Sequence, residues 1–245
     1  MADVLQQALR DHHAGRLDLA EQAYRRLLEA TPTHADALHL VGVIACQRGR
    51  YEEAADWIRR AIAVKADAAP FHCNLGEVCR MMGRLDQAAG YLKAAITLQP
   101  DYAEAWNNLG LTLQMMGKVE EAIAHFRRAL QLQPRYAMAH VNLGSALRQQ
   151  EHLPEAVEEF RRAVELDPNL PEAQSDLGQA LMESGQLDEA LEHCNRAVQV
   201  RPNFAEAQSN PGNRYDQPAA PKSRCGAACV RLKRLVGIAD TTTKP

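Results

Sequence analysis

The sequence predicts an all-α protein made of six consecutive helical hairpins. Three observations predict this fold class: the same residue types recur every 34 residues without insertion or deletion, glycine recurs where a first helix would end, and proline recurs where a second helix would end. No segment is predicted to be a strand. Counted from Met1, the frames are 1–34, 35–68, 69–102, 103–136, 137–170 and 171–204.

The interface inside each hairpin is predicted from small residues that recur at positions 8, 20 and 27 of the frame. Position 8 is glycine in frames two to six, and position 20 is alanine in all six. Small residues allow two helices to approach closely, and the larger residues at positions 7, 11 and 24 would fill the space between them. The alanines of position 20 are Ala20, Ala54, Ala88, Ala122, Ala156 and Ala190.

Glycine and proline predict where the helices of each hairpin end. Glycine at position 15 lacks a Cβ and can turn the chain after the first helix, and proline at position 32 ends the second helix and stiffens the link to the next frame. We therefore expect a first helix over positions 1–14 and a second helix over positions 17–29. The glycines are Gly49, Gly83, Gly117 and Gly185, and the prolines are Pro32, Pro100, Pro134, Pro168 and Pro202.

The fourth frame carries a family signature: Ala105-Trp106-Asn107-Asn108-Leu109-Gly110, then Ala122, Phe126, Ala129 and Pro134. This pattern resembles the tetratricopeptide repeat at every signature position except the aromatic of position 11, where Leu113 stands. The resemblance covers residues 1–204. It implies a right-handed superhelical solenoid of antiparallel helix pairs, whose first helices line a concave groove that is the usual binding surface of the family.

The candidate binding residues come from a helical stripe of the first helices. Once positions 4, 7, 8 and 11 are packed, positions 2, 5, 6, 9, 12 and 13 should face the groove. Position 6 carries a row of amides, and a carboxamide offers both a donor and an acceptor to the backbone of an extended peptide. The candidate peptide-binding residues are Asn74, Asn108, Asn142, Asp176, Asn107, Arg80 and Arg148, with Trp106 beside them.

The amide row also resembles that of protein O-linked N-acetylglucosamine transferases. In that family such asparagines hold the backbone of the substrate peptide, and the resemblance carries this role to Asn74, Asn108 and Asn142. Asp176 and Leu40 depart from the pattern at the same position. A plainer interpretation stays open, in which position 6 is a polar, solvated helix face without a specific ligand.

The sequence excludes one familiar way of binding peptides. Chaperone-binding repeats resemble one another in a two-carboxylate clamp, which needs lysine at positions 5 and 2 of the first helices. No lysine occupies either position, and position 2 carries Asp36, Glu104 and Glu172. These acids would repel a chain terminus rich in carboxylates.

No catalytic, cofactor-binding or metal-binding residues are predicted, so the chain is expected not to be an enzyme. His12 and His13 are adjacent and diverge on a helix, while Cys225 and Cys229 lack the second pair that a tetrahedral zinc site requires. Paired glutamates at positions 18–19 and paired arginines at positions 25–26 complement the dipole of the second helix. They are predicted to be solvated charges.

The repeat pattern fails after residue 204. The seventh frame, in residues 205–245, begins in phase, but Pro211 stands inside its first helix, where proline costs about 3 kcal/mol. From Ser209 onward the chain carries a net charge of +5, and the part before it −8. We expect either a disordered basic tail or a short amphipathic helix that covers the last hairpin. A truncated or frame-shifted end is a further interpretation, and an uncovered hairpin would allow self-association.

Composition restricts the partners. The net charge of −3 argues against nucleic-acid binding, and no run of 18 apolar residues suggests a membrane span. No secretory signal is recognised, and six cysteines in 245 residues fit reduced thiols, so a cytoplasmic location is predicted. The predicted function is a scaffold that binds an extended peptide or a partner protein. The alternative is the substrate-recognition region of an O-linked N-acetylglucosamine transferase whose catalytic domain lies outside this chain.

Overall fold

The computed structural model describes residues 2–200, with side chains from residue 4 onward, and this part of the chain is entirely α-helical. The broken seventh repeat with Pro211, the basic tail and the two cysteines near the end lie outside the described residues. The helices are α1 (Ala2–His13), α2 (Leu17–Ala30), α3 (Ala35–Gln47), α4 (Tyr51–Val64), α5 (Ala69–Met81), α6 (Leu85–Leu98), α7 (Ala103–Met115), α8 (Val119–Leu132), α9 (Ala137–Gln149), α10 (Leu153–Leu166), α11 (Pro171–Glu183) and α12 (Leu187–Val200).

These helices confirm the predicted fold class of six helix pairs. From the second frame on, the first helices occupy positions 1–13 and the second helices positions 17–30, so both predicted ends are correct within one residue. The helices form two compact units. Unit 1 contains α1–α7 and ends at Met116, and unit 2 begins at Gly117 and contains α8–α12. No helix in residues 2–200 is long and apolar enough to cross a membrane.

The turn between the helices of a pair requires a left-handed backbone at position 15. The glycines at this position have φ between 72° and 81°. Glycine adopts this conformation without the steric cost of a Cβ atom. In the fifth frame the position is Glu151, whose φ is 63°, so the turn is kept although the residue is not glycine.

Glycine at position 8 allows the two helices of a pair to approach closely. A methyl group added to Gly42 would lie 2.6 Å from Ile58 Cγ1, and one added to Gly144 would lie 2.7 Å from Phe160 Cε1. Gly76 and Gly178 meet the same frame position, 24, in their own second helices. The large side chain of the second helix therefore occupies the space that glycine leaves, as the sequence predicts.

Successive frames are joined by a side-chain hydrogen bond that the sequence analysis did not predict. At position 4 of four first helices, a side-chain N–H donates to the carbonyl oxygen of position 32 in the preceding frame. The bonds are His72 Nε2 to Ala66 at 2.9 Å, Trp106 Nε1 to Pro100 at 2.9 Å, His140 Nε2 to Pro134 at 3.0 Å and Gln174 Nε2 to Pro168 at 2.8 Å. Each bond satisfies a carbonyl in the link between two hairpins.

Candidate functional site

The predicted stripe is only partly exposed. Position 5, which the helical pattern assigns to the groove, is buried in frames two to six. Asn107 is 2% exposed, and its Nδ2 lies 3.4 Å from Asn108 Oδ1. In unit 1, position 5 of one first helix meets position 6 of the next, as in the contact of His39 with Asn74. Asn107 is therefore not a surface residue.

Asn74 is more open than Asn108, the other asparagine of the row in unit 1. It is half-buried on α5, and its Nδ2 lies 2.8 Å from His39 Nε2. Burial lowers the pKa of His39 to about 4, against a small opposing effect of Asp36, so the imidazole is neutral and accepts this bond. Within the described residues, no protein group donates a hydrogen bond to Asn74 Oδ1, which is left as an acceptor.

The next two amides of the row are turned inward. Asn108 is 7% exposed, and its Nδ2 donates to Cys73 Sγ at 3.7 Å while its Oδ1 accepts from Asn107. Asn142, in unit 2, is 9% exposed. The amides that fit the predicted row by sequence thus differ in access, and Asn108 has its hydrogen-bonding capacity used within the protein.

Asp176 and Arg148 form a charged cluster in unit 2. Burial raises the pKa of Asp176 to about 6, while Arg148 opposes that shift and Glu172 adds to it. Arg148 Nη1 donates to Gln179 Oε1 at 2.9 Å and lies 4.0 Å from Glu183 Oε1. Arg148 is therefore held by partners on α11.

Arg80, at the same frame position as Arg148, is held much less well. Its side chain is 16% exposed, its Nη1 lies 3.8 Å from Met115 Sδ, and its Nη2 lies 4.0 Å from Glu77 Oε1. Its Nε is buried without a hydrogen-bond partner within the described residues. Burial lowers the pKa of Arg80, and Glu77 and Cys46 oppose that shift.

We call the face formed by α3, α5 and α7 in unit 1 the first-helix surface, and define it by Leu40, Asn74, Glu77, Arg80 and Met115. All five side chains are partly exposed. The first helices of this face contact one another in chain order, α3 with α5 and α5 with α7. Trp106 does not belong to this surface, because it occupies position 4 and its indole donates to the Pro100 carbonyl.

Acidic side chains of the second helices pair with arginines of the same helix and of the turn in the next hairpin. Glu21 on α2 accepts from Arg25 at 2.8 Å, Arg48 at 2.6 Å and Arg50 at 3.3 Å. Arg84 contacts Glu52 at 2.6 Å, which joins the second hairpin to the third. These ion pairs give partners to charges for which the sequence analysis considered only the helix dipole. Among residues 4–200 no group of three His, Cys, Asp or Glu side chains is placed to hold a metal ion.

Family models match most of the chain. Models described as tetratricopeptide repeat match residues 5–72, 101–169 and 147–209, and a model described as TPR repeat matches residues 76–117. No curated protein matches the chain.

Three solved structures illustrate the folds to which the chain is similar. The crystal structure of MamA is 25% identical, with a TM-score of 0.57, and the match covers 66% of this chain and 94% of MamA. PilF of Pseudomonas aeruginosa is 20% identical, with a TM-score of 0.71 and coverage of 87% and 97%. YrrB, described as a TPR protein with an unusual peptide-binding site, is 20% identical, with a TM-score of 0.54 and coverage of 78% and 100%.

Proposed function

Because the chain belongs to the tetratricopeptide repeat family, we propose that it is a protein-interaction scaffold that binds an extended peptide segment of a partner protein on its first-helix surface. Proteins made of such repeats are generally scaffolds of this kind. The peptide-binding site for which YrrB is described supports this proposal for a chain of similar fold. On this proposal the chain acts by binding and catalyses no reaction itself.

The observation that carries the proposal is the unused acceptor of Asn74. Its Nδ2 is fixed by His39, which orients the carboxamide, and its Oδ1 has no donor within the described residues. Every residue of an extended peptide except proline carries a backbone N–H that needs an acceptor. An oriented amide oxygen on a partly exposed helix can therefore hold a peptide backbone whatever its side chains are.

In unit 2 the candidates are Asn142, Asp176 and Arg148. Arg148 and Gln179 are already hydrogen-bonded, and Asp176 is the half-buried group beside them. We propose that this cluster makes polar contacts to the partner in addition to those of Asn74.

The proposal can be tested by selecting peptides from a randomised display library with the wild-type chain. Asn74→Ala removes one oriented acceptor, so the selected peptides should bind about 3–10 times more weakly, the loss of one hydrogen bond. Gln87→Ala is the matched control, because Gln87 is an exposed amide on α6. It should leave the dissociation constant unchanged, measured by fluorescence polarisation.

Two outcomes would contradict the proposal. Either the library yields no enriched peptide, or Asn74→Ala and Gln87→Ala bind every selected peptide as the wild type does. Asn108 is left out of this test because its internal hydrogen bonds make its replacement a change of stability as well.

The resemblance to O-linked N-acetylglucosamine transferases stays a prediction. The family models that match the chain describe the repeat in general and do not separate these enzymes from other repeat proteins. The cytoplasmic location, the absence of nucleic-acid and membrane partners, and self-association through the last hairpin likewise stay predictions.

A further inference from the structure

Arg80 is an incompletely paired cation within the first-helix surface. A guanidinium has five N–H donors, and burial of a charge is normally compensated by an ion pair and several hydrogen bonds. Within the described residues, the polar partners of Arg80 are a thioether sulfur, to which Nη1 donates a weak hydrogen bond at 3.8 Å, and a carboxylate oxygen 4.0 Å from Nη2, which is beyond hydrogen-bond distance. Its Nε is buried and has no partner in the described part of the chain.

Other partly buried arginines of this chain are satisfied. Arg50 Nη1 lies 2.7 Å from Glu53 Oε2, and Arg161 Nη2 donates to Glu189 Oε2 at 2.9 Å. Arg148, at the frame position of Arg80, donates to Gln179 Oε1 at 2.9 Å. The sequence therefore supplies partners to arginines elsewhere, and the lack of them at Arg80 is a particular feature of this surface.

The groups around Arg80 compensate its charge only in part. Cys46 lies near it on α3, and burial raises the pKa of that thiol to about 11, so the thiol is neutral at physiological pH. Met115 on α7 is uncharged. Glu77 is 40% exposed and lies one helical turn before Arg80, so its carboxylate can move into water without disturbing the helix.

We propose that Arg80 binds the side-chain carboxylate of an acidic residue in the peptide held on the first-helix surface, an inference that rests on the proposed function. A carboxylate accepts two parallel N–H bonds from a guanidinium, which would supply the partners that the protein does not. Asn74 and Arg80 are six residues apart on α5, which is a rise of about 9 Å along the helix axis, the length of about three residues of extended peptide, and a rotation of about 120° around it. Both side chains are partly exposed on the first-helix surface, and the long side chain of Arg80 allows one short peptide to contact both.

The test uses blocked nonapeptide pools that are randomised except at the central residue, which is glutamate, glutamine or lysine. The wild-type chain should bind the glutamate pool at least ten times more tightly than the glutamine pool. Arg80→Met should abolish this preference while it retains binding of the glutamine pool. Glu77→Gln should strengthen binding of the glutamate pool, because it removes the competing carboxylate.

Further arms separate the source of the carboxylate and the role of the arginine. A glutamine pool with a free C-terminus tests whether a terminal carboxylate is bound instead, and preference for that pool over the blocked glutamate pool would overturn the side-chain assignment. Arg26→Gln, an exposed arginine on α2, is the control and should preserve the preference. Arg80→Met should unfold at the same urea concentration as the wild type or a higher one, because an underpaired cation is removed.

The outcomes distinguish the two proposals. If all pools bind the wild type equally, the Arg80 assignment is overturned and the proposed function stands. If no pool binds, both are overturned. A large fall in the urea midpoint of Arg80→Met would show that the arginine supports the fold and would overturn its assignment as an anchor.

Discussion

Glu151 occupies a backbone conformation that suits glycine. Its φ of 63° places it in the left-handed region, where a Cβ costs about 1–2 kcal/mol, whereas glycine takes the same turn at Gly117 and Gly185. Its amide N–H donates to the Arg148 carbonyl at 3.0 Å, and this hydrogen bond to the last turn of α9 holds the backbone of Glu151 in place.

Glu151→Gly should therefore stabilise the protein. The relief of strain exceeds the extra entropy of glycine in the unfolded chain, so the free energy of unfolding should rise by about 0.5–1 kcal/mol, measured by urea denaturation. Gln150→Gly is the control, because its φ of −90° is acceptable to any residue. It should lower stability, and a gain in both variants would show that the conformation of Glu151 is not the cause.

Asp176 carries a charge where the equivalent residues of the third, fourth and fifth frames are amides, and it should be the more costly choice. Burial raises the pKa of Asp176 in the folded protein to about 6, from the ordinary aspartate value of 3.8. Ionisation therefore costs stability, which is unaffected below about pH 3.8, falls as the pH rises to about 6, and is constant above that.

Asp176→Asn should raise the free energy of unfolding at pH 7 by about 1–3 kcal/mol, since one pKa unit corresponds to about 1.4 kcal/mol. The gain should shrink towards pH 4. Asp101→Asn, at an exposed turn, should change stability by less than about 0.5 kcal/mol at either pH. Equal stabilisation at pH 4 and pH 7 would contradict the assigned cause.

The limits of sequence-based prediction are clearest at single residues. A helical wheel assigns Asn107 to the exposed stripe, but the wheel contains one helix and not the helices packed around it, and Asn107 is 2% exposed. For the same reason Asn74 and Asn108 look equivalent in sequence. In the structure, only Asn108 has both its side-chain oxygen and its side-chain nitrogen hydrogen-bonded within the protein. Arg80 was a sequence candidate, yet its missing partners appear only in the geometry.

At the scale of elements, the link between hairpins depends on a donor and not on a residue type. Position 4 uses His72, Trp106, His140 and Gln174 to make the same hydrogen bond to position 32. A search for recurring residues therefore finds the proline of position 32 and misses its partner. A search for side-chain N–H donors at that position would have found it.

His140 makes this link dependent on pH. Its Nδ1 lies 2.6 Å from Glu159 Oε2 and its Nε2 donates to Pro134, so the buried ring has two acceptors and favours the protonated form. Burial opposes protonation and Arg162 adds to that effect, but the bonds to Glu159 and Pro134 and the charge of Glu159 outweigh them and raise the pKa of His140. This stabilisation is full below the unfolded-state pKa near 6.5 and is lost as the pH rises through the folded-state value.

His140→Gln should remove this dependence. Glutamine donates to the carbonyl of position 32 in the next frame, at Gln174, so the link itself should survive. Between pH 6 and pH 8.5 the wild type should lose more stability than His140→Gln, as measured by urea denaturation. His13→Gln replaces an exposed histidine and should follow the wild type, so identical pH profiles for all three proteins would contradict the role of His140.

At the scale of the whole molecule, the fold was predictable because its packing is local. The main helix contacts within each unit join helices that are adjacent or next but one in the chain, such as α3 with α4 and α3 with α5. Each frame thus repeats one local packing problem, and Gly42 against Ile58 is the same solution as Gly144 against Phe160. Six copies of a pattern reveal a constraint that one copy would not.

Local packing also predicts which helices a destabilising substitution affects. Phe160 is fully buried, and a methyl group on Gly144 would lie 2.7, 2.9 and 3.0 Å from three of its ring carbons. The ring has no room to move, so Gly144→Ala should destabilise the protein by about 1–3 kcal/mol. Gly90→Ala is the matched control, because a methyl group there meets open space and removes a flexible residue from α6, which should add about 0.5–1 kcal/mol.

Hydrogen exchange of Gly144→Ala should show where that energy is lost. Because a repeat array gains its stability from each repeat and its immediate neighbours, exchange should accelerate in α9 and α10, and less in α11, while the amides of α3 and α4 keep their wild-type rates. Gly90→Ala should accelerate no helix. Equal acceleration in α4 and α10 would instead show that residues 2–200 unfold as one cooperative body, which a chain of near-neighbour contacts does not predict.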